Sequence, residues 1–473
     1  MDPSEIFIYK LMKILLVKPY NSGDHIQPSL GLGYLASSLR RSHHDVKILD
    51  CVKEKITINR FRNVIAKEKP DIVGFQLYTS DLGFVKKALK ISKEVNKDIV
   101  TVVGGHHPSA MPVETLEAIK DDLDFLFVGE AELSLPKLLD KLAKGDKRFD
   151  DVPGLAWREK GQIRLNEKFI IEDLDSLPMP AWDLIRPETY PESQHGAFFK
   201  KFPIAPIILT RGCPYSCTFC AGNLVSGKRI RKRNIDNVLD EIRLLHNDYG
   251  IREFHIIDDN FTQDISYAKN FLRRLKALNL DISWAAPNGV RMDTLDEEIL
   301  KLMKETGLYL ISLGIESGSD EVLRRMKKGT DIAKIRRCVK MIKANGIDMA
   351  GFFILGFPGD TEKSIKDTIR FSVELGIIRA NFMTYLPFPG SESYRELSAG
   401  KELEGVDWEN FYFKDASYAP KGITRKRLKN LQRLAFARFY LRPRIILYNI
   451  KSVQSLRHLG FLSKRFVSWI VKG

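Results

Sequence analysis

A chain of 473 residues is long enough for two or three domains, each with its own core, and 44% apolar with 29% charged content is that of an ordinary soluble globular protein. Five cysteines, three of them in one loop, exclude a disulfide framework and point to a reducing, cytoplasmic compartment; no run reaches the roughly 18 apolar residues of a spanning helix, and the N-terminus shows no signal-peptide pattern. The net charge of +15 is local, because Lys421 to Gly473 holds 14 Lys and Arg and no acid, and 75 less 14 leaves 61 bases against 60 acids elsewhere.

Residues 1–11 show little pattern, and the fold is expected to open at Met12, with Met12 to Val17 as a buried strand. A polar loop, Asn21 to Pro28, precedes a helix that begins at Leu30. Further strands are predicted at 46–50, 71–76, 99–103 and 125–128, separated by helices with apolar residues three and four apart, as in Val85, Ala88 and Leu89. Strands alternating with helices predict a parallel sheet wrapped on both faces, with ligands at the carboxyl ends of its strands. Two loops at those ends are glycine-rich: Gly104-Gly105-His106-His107-Pro108-Ser109 and Gly129-Glu130-Ala131-Glu132. Glycine there lets a backbone approach a bulky ligand closely, although a tight turn explains it as readily. His106 and His107, beside a proline, are expected to be loop residues and not metal ligands. From Asp150 to Pro203, prolines and turn residues replace periodic segments, so this stretch is expected to be a connector.

The apolar run Ala205 to Thr210 leads into Arg211-Gly212-Cys213-Pro214-Tyr215-Ser216-Cys217-Thr218-Phe219-Cys220. Three thiolates at C-x3-C-x2-C spacing can converge on one face of an iron–sulfur cube and leave its fourth iron without a local ligand. An open metal position is characteristic of a catalytic site. A zinc knuckle would want a second ligand pair, and none lies nearby. Beyond the cysteines, strands are predicted at 253–257, 282–286, 309–314, 350–355 and 381–386, and helices at 235–248, 265–278, 295–305, 332–344 and 362–374. Thr294 and Glu297 suggest a capping box, and Gly250, Gly307, Gly346 and Gly376 stand where helices end. With the strand before the cysteines, six strand–helix units form a partial barrel, whose site lies at the strand C-terminal ends.

The cysteine loop, with aromatic Phe219 before its last cysteine, resembles the signature of the radical S-adenosylmethionine enzymes. The glycine pair with His-Pro, the Gly-Glu turn and the run Leu177-Pro178-Met179-Pro180-Ala181-Trp182 resemble the group of these enzymes that carries a cobalamin-binding domain ahead of the radical core. The resemblance spans most of the chain. It implies an α/β protein: a doubly wound, Rossmann-like cobalamin domain at 1–147, a connector at 148–203, a (β/α)6 TIM-type radical core at 204–415 and a basic helical region at 416–473. It implies that Cys213, Cys217 and Cys220 hold a [4Fe-4S] cluster whose open iron chelates S-adenosylmethionine. It also implies Asp258, Asp259 and Asn260 for the methionine amino group, and Arg291 for the carboxylate. Glu316 and Ser317 are implied for the ribose, with Phe219, Ile354, Tyr385 and Leu386 around the adenosyl group. Cobalamin is implied at Thr79, Ser80, Gly104, Gly105, His106, Gly129 and Glu130. The Asp-x-His-x-x-Gly signature of a cobalt-ligating histidine is absent, since Asp24 and His25 are adjacent. Cobalamin without a histidine lower ligand is therefore expected.

The activity most often found in that group is methylation of an unactivated carbon through a 5′-deoxyadenosyl radical and methylcobalamin. Oxidative cyclisation or rearrangement is the alternative. Transfer RNA methylthiolation would need three more cysteines, which Cys51 and Cys338 do not supply. A non-enzymatic iron–sulfur sensor with a nucleic-acid-binding tail would not need a complete adenosyl shell. Expected partners are a small molecule, lipid or hydrophobic if the tail meets a membrane, and an electron donor such as flavodoxin or ferredoxin. In the tail, Leu428, Leu431, Leu434, Ala435 and Phe439 share a helical face, followed by Ile446, Ile450 and Val453, then Phe461, Phe466, Trp469 and Ile470 among bases. Two readings stand: peripheral contact with the inner face of an anionic membrane, or a first helix that simply covers the barrel. Nucleic acid is disfavoured, because no binding module accompanies the charge.

Overall fold

The computed structural model describes residues 11–21, 26–192, 199–408 and 411–471, with the last helix beyond 464 described by its backbone only. Asp24 and His25 lie outside the described residues. The chain forms two compact units: one holds the first strand, Ser29–Arg186 and the short segment Leu224–Gly227, and the other holds Pro187–Asn223 and the chain from Lys228 onward.

In the first unit, β1 (Lys13–Lys18), β2 (Asp45–Asp50), β3 (Ile72–Gln76), β4 (Val100–Gly104) and β5 (Phe125–Phe127) run parallel in the order β2-β1-β3-β4-β5. Successive side chains of β1 serve opposite cores. Leu15 and Val17 join Phe61, Ile65, Val85 and Leu89 from the helices Ile58–Glu68 and Leu82–Val95. Ile14 and Leu16 join Leu32, Leu39 and Leu138 from the helices Leu30–Arg41 and Ser134–Ala143. A strand buried on both faces reads as a continuous apolar run, which is why β1 was legible.

The stretch expected to be a connector contributes to this sheet. β6 (Leu155–Glu159) pairs antiparallel with β5, and β7 (Gln162–Leu165) pairs antiparallel with β6, completing seven strands. Their two-residue turn, Lys160-Gly161, has φ +48° and +82°, the left-handed pair that a tight hairpin requires. β7 is largely exposed, so its apolar signal is weak and its composition resembles a loop.

The second unit is a parallel sheet in sequence order: β8 (Ile204–Ile207), β11 (Glu253–Ile256), β12 (Ser283–Val290), β13 (Leu308–Glu316), β14 (Asp348–Leu355) and β15 (Arg379–Thr384). Between β8 and β11, β9 (Thr210–Arg211) and β10 (Arg231–Lys232) form a short antiparallel ribbon that closes off the cysteine loop. The five predicted helices are present at Ile235–Asp248, Ile265–Ala277, Glu297–Glu305, Ile332–Ala344 and Glu362–Glu374. The capping-box expectation needs correction. Asp296, not Thr294, caps Glu297–Glu305 by accepting from the Ile299 amide, while Thr294 Oγ1 bonds to Arg291 O and Thr262. A capping box does occur at Thr361 and Ser364, where serine fills the place usually held by Glu or Gln. Gly250, Gly307, Gly346 and Gly376 all have positive φ.

The start of β11 is tied to the chain leading into β8. Glu253, fully buried, accepts from the Lys200 and Lys201 amides at 2.7 Å each, from Tyr309 OH at 2.8 Å and pairs with His255 Nε2 at 2.9 Å. The first tail helix, Arg425–Tyr440, buries Leu428, Leu431, Ala435 and Phe439 and packs on β15 and Glu362–Glu374. Gln432 Nε2 donates to Phe382 O at 2.7 Å, and Arg427 holds Glu362 with two bonds. This helix covers the barrel.

Candidate active site

Asp258, just past β11, fixes the start of the cysteine loop. Its buried carboxylate accepts from the Leu209 amide at 2.9 Å, the Thr210 amide at 2.6 Å and Thr210 Oγ1 at 2.7 Å. Burial pushes this carboxyl up to about 7 against the pull of those donors. Both oxygens are engaged in shaping the loop, so Asp258 acts on the site through the backbone it holds. Asn260 is likewise turned into its own bend, bonded to Gln263 and Thr262. Asp259 is the exposed member of the trio, and its carboxylate lies within electrostatic reach of Cys213 and Cys220.

Further along, Tyr215 lies under Arg291, whose guanidinium carbon stands 3.4 Å from the ring centroid. Arg291 makes a two-point contact with Asp293 at 2.9 and 3.1 Å and donates to Lys328 O at 3.0 Å. Thr218 ties the middle of the loop to the helix Asp320–Arg325 and its cap, its amide donating to Met326 O and its hydroxyl to Arg325 O. The three thiols lie within electrostatic reach of one another without converging on a single-ion position. Burial raises the Cys213 thiol. Cys220 is the most open of the three, yet surrounding protein desolvates its thiol and pushes it up to about 11, even though the Gly222 amide donates to Sγ at 3.4 Å. Cluster assembly must therefore displace protons. Three grouped soft thiols, one already accepting an amide hydrogen bond, fit a [4Fe-4S] cluster.

A narrow cavity of about 10 Å³ lies beside this loop, lined by Arg291, Met292, Asp293, Gly314, Lys328 and Thr330. Lys328 carries no motif and was missed in the sequence. Its Nζ pairs with Glu316 Oε1 at 2.7 Å, with the two side chains 13% and 7% exposed, and stands 5.7 Å from the Phe219 ring centroid. A Cβ on Gly314 would come within 2.6 Å of both charged atoms, so glycine is what leaves room for the pair. Glu316 has φ +62°, a left-handed conformation uncommon for this residue type, at a register shift between β13 and β14. Two cations and a carboxylate around one small cavity suit the charged methionyl end of S-adenosylmethionine.

Ser317 is turned away, its Oγ bonded to Thr368 and to the Ser319 amide. Phe219, Ile354 and Tyr385 meet in one apolar cluster with Met326 and Phe357. The Tyr385 hydroxyl is engaged by Ser393, which bonds in turn to Thr218 O, so this residue braces the cysteine loop from behind. Leu386 is buried next to it.

In the first unit, the segments after β3, β4 and β5 form a second polar group. His106 and His107, expected in a loop, instead open the short helix His106–Ala110, where Pro108 is tolerated in the first turn. Gly105, at φ +108°, packs against Leu77, where a Cβ would stand 3.2 Å from the carbonyl oxygen. His106 stacks on the exposed ring of Tyr78 at 5.0 Å, and His107 is buried with Nδ1 3.0 Å from Thr79 Oγ1. Ser80 donates to buried Asp81. Gly129, at φ +86°, accepts no Cβ because Phe169 O occupies the space, and its amide donates to Ser109 Oγ. Glu130 faces inward and accepts from the Ile171 amide at 2.7 Å, which secures the chain after β7. Next to this turn, the buried hydroxyl of Ser134, also missed in the sequence, has no hydrogen-bond partner among the described residues. The stacked Tyr78–His106 pair, with Tyr78 exposed, and the orphan hydroxyl fit a large polar ligand such as cobalamin.

His107 yields a pH prediction. Burial, assisted by Lys86, lowers its imidazole from 6.5 to about 4. The unfolded chain takes up this proton first, so stability is full above about pH 6.5 and falls as pH drops toward about 4, by on the order of 3 kcal/mol. Asp81, pushed by burial up to about 6, works in the opposite direction. Comparing denaturant unfolding of the native protein with His107→Gln across this range isolates the histidine. The variant is expected to lose the downward slope.

Comparison with known proteins finds a match in each half of the chain. Residues 207–372 match the Radical SAM superfamily model, and residues 21–139 match the B12 binding domain model. The chain is 34% identical to the uncharacterized methyltransferase PH0819 of Pyrococcus horikoshii, over 98% of this chain and 99% of the relative. It is 30% identical to the cytidylyl-2-hydroxyethylphosphonate methyltransferase of Streptomyces wedmorensis, over 78% of this chain and 77% of the relative. In fold it is similar to the radical S-adenosylmethionine methyltransferase TsrM of Kitasatospora setae, solved with cobalamin and a [4Fe-4S] cluster, with TM-score 0.73 and 16% identity over 97% of this chain and 100% of that one. With both domain models matched and a relative aligned end to end, the chain belongs to the cobalamin-binding radical S-adenosylmethionine enzymes, whose cofactors are a [4Fe-4S] cluster, S-adenosylmethionine and cobalamin.

Proposed function

We propose that the protein is a methyltransferase acting on an unactivated carbon of a small molecule. The observation that carries the reading is the three-thiol loop beside the Arg291 and Lys328 cavity, in a chain aligned over 98% of its length with a protein named a methyltransferase. When bound, the cluster supplies the electron that cleaves S-adenosylmethionine, and cobalamin carries the methyl group. In this reading Cys213, Cys217 and Cys220 hold the cluster, Arg291 and Lys328 receive the methionyl carboxylate, Asp259 the amino group and Glu316 the ribose. Phe219 and Ile354 border the adenosyl group. Asp258, Ser317 and Tyr385 hold the loops in place. Thr79, Ser80, Gly104, Gly105, His106 and Gly129 form the cobalamin loops, with Glu130 as their inner anchor. His107, buried and bonded to Thr79, would serve these cobalamin segments as a structural residue. Flavodoxin or ferredoxin serves as electron donor. A lipid or other hydrophobic substrate, met at the inner face of a membrane, is a separate reading that the basic tail favours.

The test is anaerobic reconstitution with iron, sulfide, cobalamin and dithionite, using S-adenosylmethionine deuterated at its methyl group. Release of 5′-deoxyadenosine and a deuterated product from extracts of a deletion strain are expected. A product two hydrogens lighter and without label would assign oxidative ring formation instead. Absence of 5′-deoxyadenosine would refute radical chemistry.

A further inference from the structure

We propose that the outer face of the tail from Leu441 to Leu459 docks the enzyme on an anionic lipid bilayer. The inner face of this segment is already occupied. In the helix Pro443–Lys451, Ile445 is buried and Tyr448 OH donates to Asp348 at 2.8 Å. Arg442 lies over the Phe439 ring at 4.2 Å and donates to Val373 O. At the start of the helix Leu456–Val471, His458 is buried 4.7 Å from the Phe199 ring centroid, and Ser455 donates to Glu192. The segment is thus fixed to the protein, and its remaining face does not serve the core.

That remaining face is apolar. Leu441, Ile446, Leu447, Ile450, Leu456 and Leu459 are all exposed, Ile450 at 64% and Leu456 at 87%. Ile446, Leu447 and Ile450 share one side of their helix by their spacing. Arg444, Lys451, Arg457 and Lys464 are exposed among them, and no acid occurs anywhere after Pro420. A solvated helix face carries mixed charges, and a nucleic-acid surface has no use for a row of aliphatic side chains. A second copy of this chain, meeting the same face about a two-fold axis, would bring like charges together. Aliphatic residues interspersed along the segment with Arg444, Lys451, Arg457 and Lys464 match an interfacial helix on negatively charged lipid. The outer contact therefore runs from Leu441 onward, and not along the helix Arg425–Tyr440. Phe466, Trp469 and Ile470, expected to contribute, lie outside the described side chains. The inference is independent of the methyl-transfer reading.

Flotation of the full anaerobic chain with vesicles tests it, using phosphatidylcholine alone or mixed with phosphatidylglycerol. The protein is expected to float with the anionic vesicles, to remain behind with neutral ones and to be released by salt. Ile446→Glu with Ile450→Glu, and separately Lys451→Gln with Arg457→Gln, are each expected to weaken binding about tenfold or more. Because these side chains are exposed, folding and 5′-deoxyadenosine release should match the unmodified protein, so a lost enzyme activity is not mistaken for a lost surface. Equal flotation on both vesicle types, none on either, or indifference to both double variants would overturn the proposal. A lipid-free dimer dissolved by Ile446→Glu with Ile450→Glu would overturn it too, by giving the face to a second copy.

Discussion

Alanine at Cys213, Cys217 or Cys220, one position at a time, is expected to abolish the brown absorbance and most of the iron of the anaerobically reconstituted protein. With one iron left without its thiolate, the loop keeps two anchors for a four-iron cube. The loop itself should survive, because its shape does not depend on the thiols. Asp258 holds Leu209 and Thr210, Arg291 covers Tyr215, and Thr218 is tied to Met326. The variants should therefore remain folded, with far-ultraviolet circular dichroism and thermal unfolding close to those of the unloaded native protein. Cys51→Ala and Cys338→Ala should keep full iron content. Burial holds both thiols well above the ordinary range, Cys338 at about 12, where they are small apolar side chains and poor ligands. An intact cluster in any of the three loop variants would remove the basis for the family assignment at the level of residues.

The contrast between these cysteines and the rest of the site shows what a sequence encodes openly. Thiolate chemistry needs particular residues at particular spacing, so the loop was legible by itself. The barrel and the doubly wound sheet were legible because strands buried on both faces alternate with amphipathic helices. The hairpin β6–β7 was not, since an exposed edge strand lacks that pattern. Several of the expected site residues stand at strand ends but face in unexpected directions. Asp258 turns back to three donors, Ser317 to Thr368, and Glu130 to Ile171, and in each case the polar group is committed to a backbone that the motif cannot describe. Lys328 was overlooked for the opposite reason. It lies 12 residues beyond Glu316, after a helix, and only the packing of that helix brings its ammonium to the carboxylate.

The Glu316–Lys328 pair supports the second prediction with a large effect. Both side chains are nearly buried, and Gly314 leaves no slack around them. Lys328→Met should leave the Glu316 carboxylate buried without its counter-ion, at a cost of about 3–5 kcal/mol in unfolding free energy. Adding Glu316→Leu to Lys328→Met should recover much of that loss, because the uncompensated charge is gone. Affinity for S-adenosylmethionine should behave differently. Neither variant retains the ammonium facing the cavity, so both are expected to bind it at least about tenfold more weakly in equilibrium dialysis, whichever is the more stable. Glu316→Gln keeps the volume and one acceptor for Lys328 but leaves its ammonium without a counter-ion, and should lower both stability and affinity. The partial rescue is what separates the assignment from simple structural damage, since a damaged fold would lose stability and affinity together. Lys328→Met with native stability and native affinity would remove this lysine from the site.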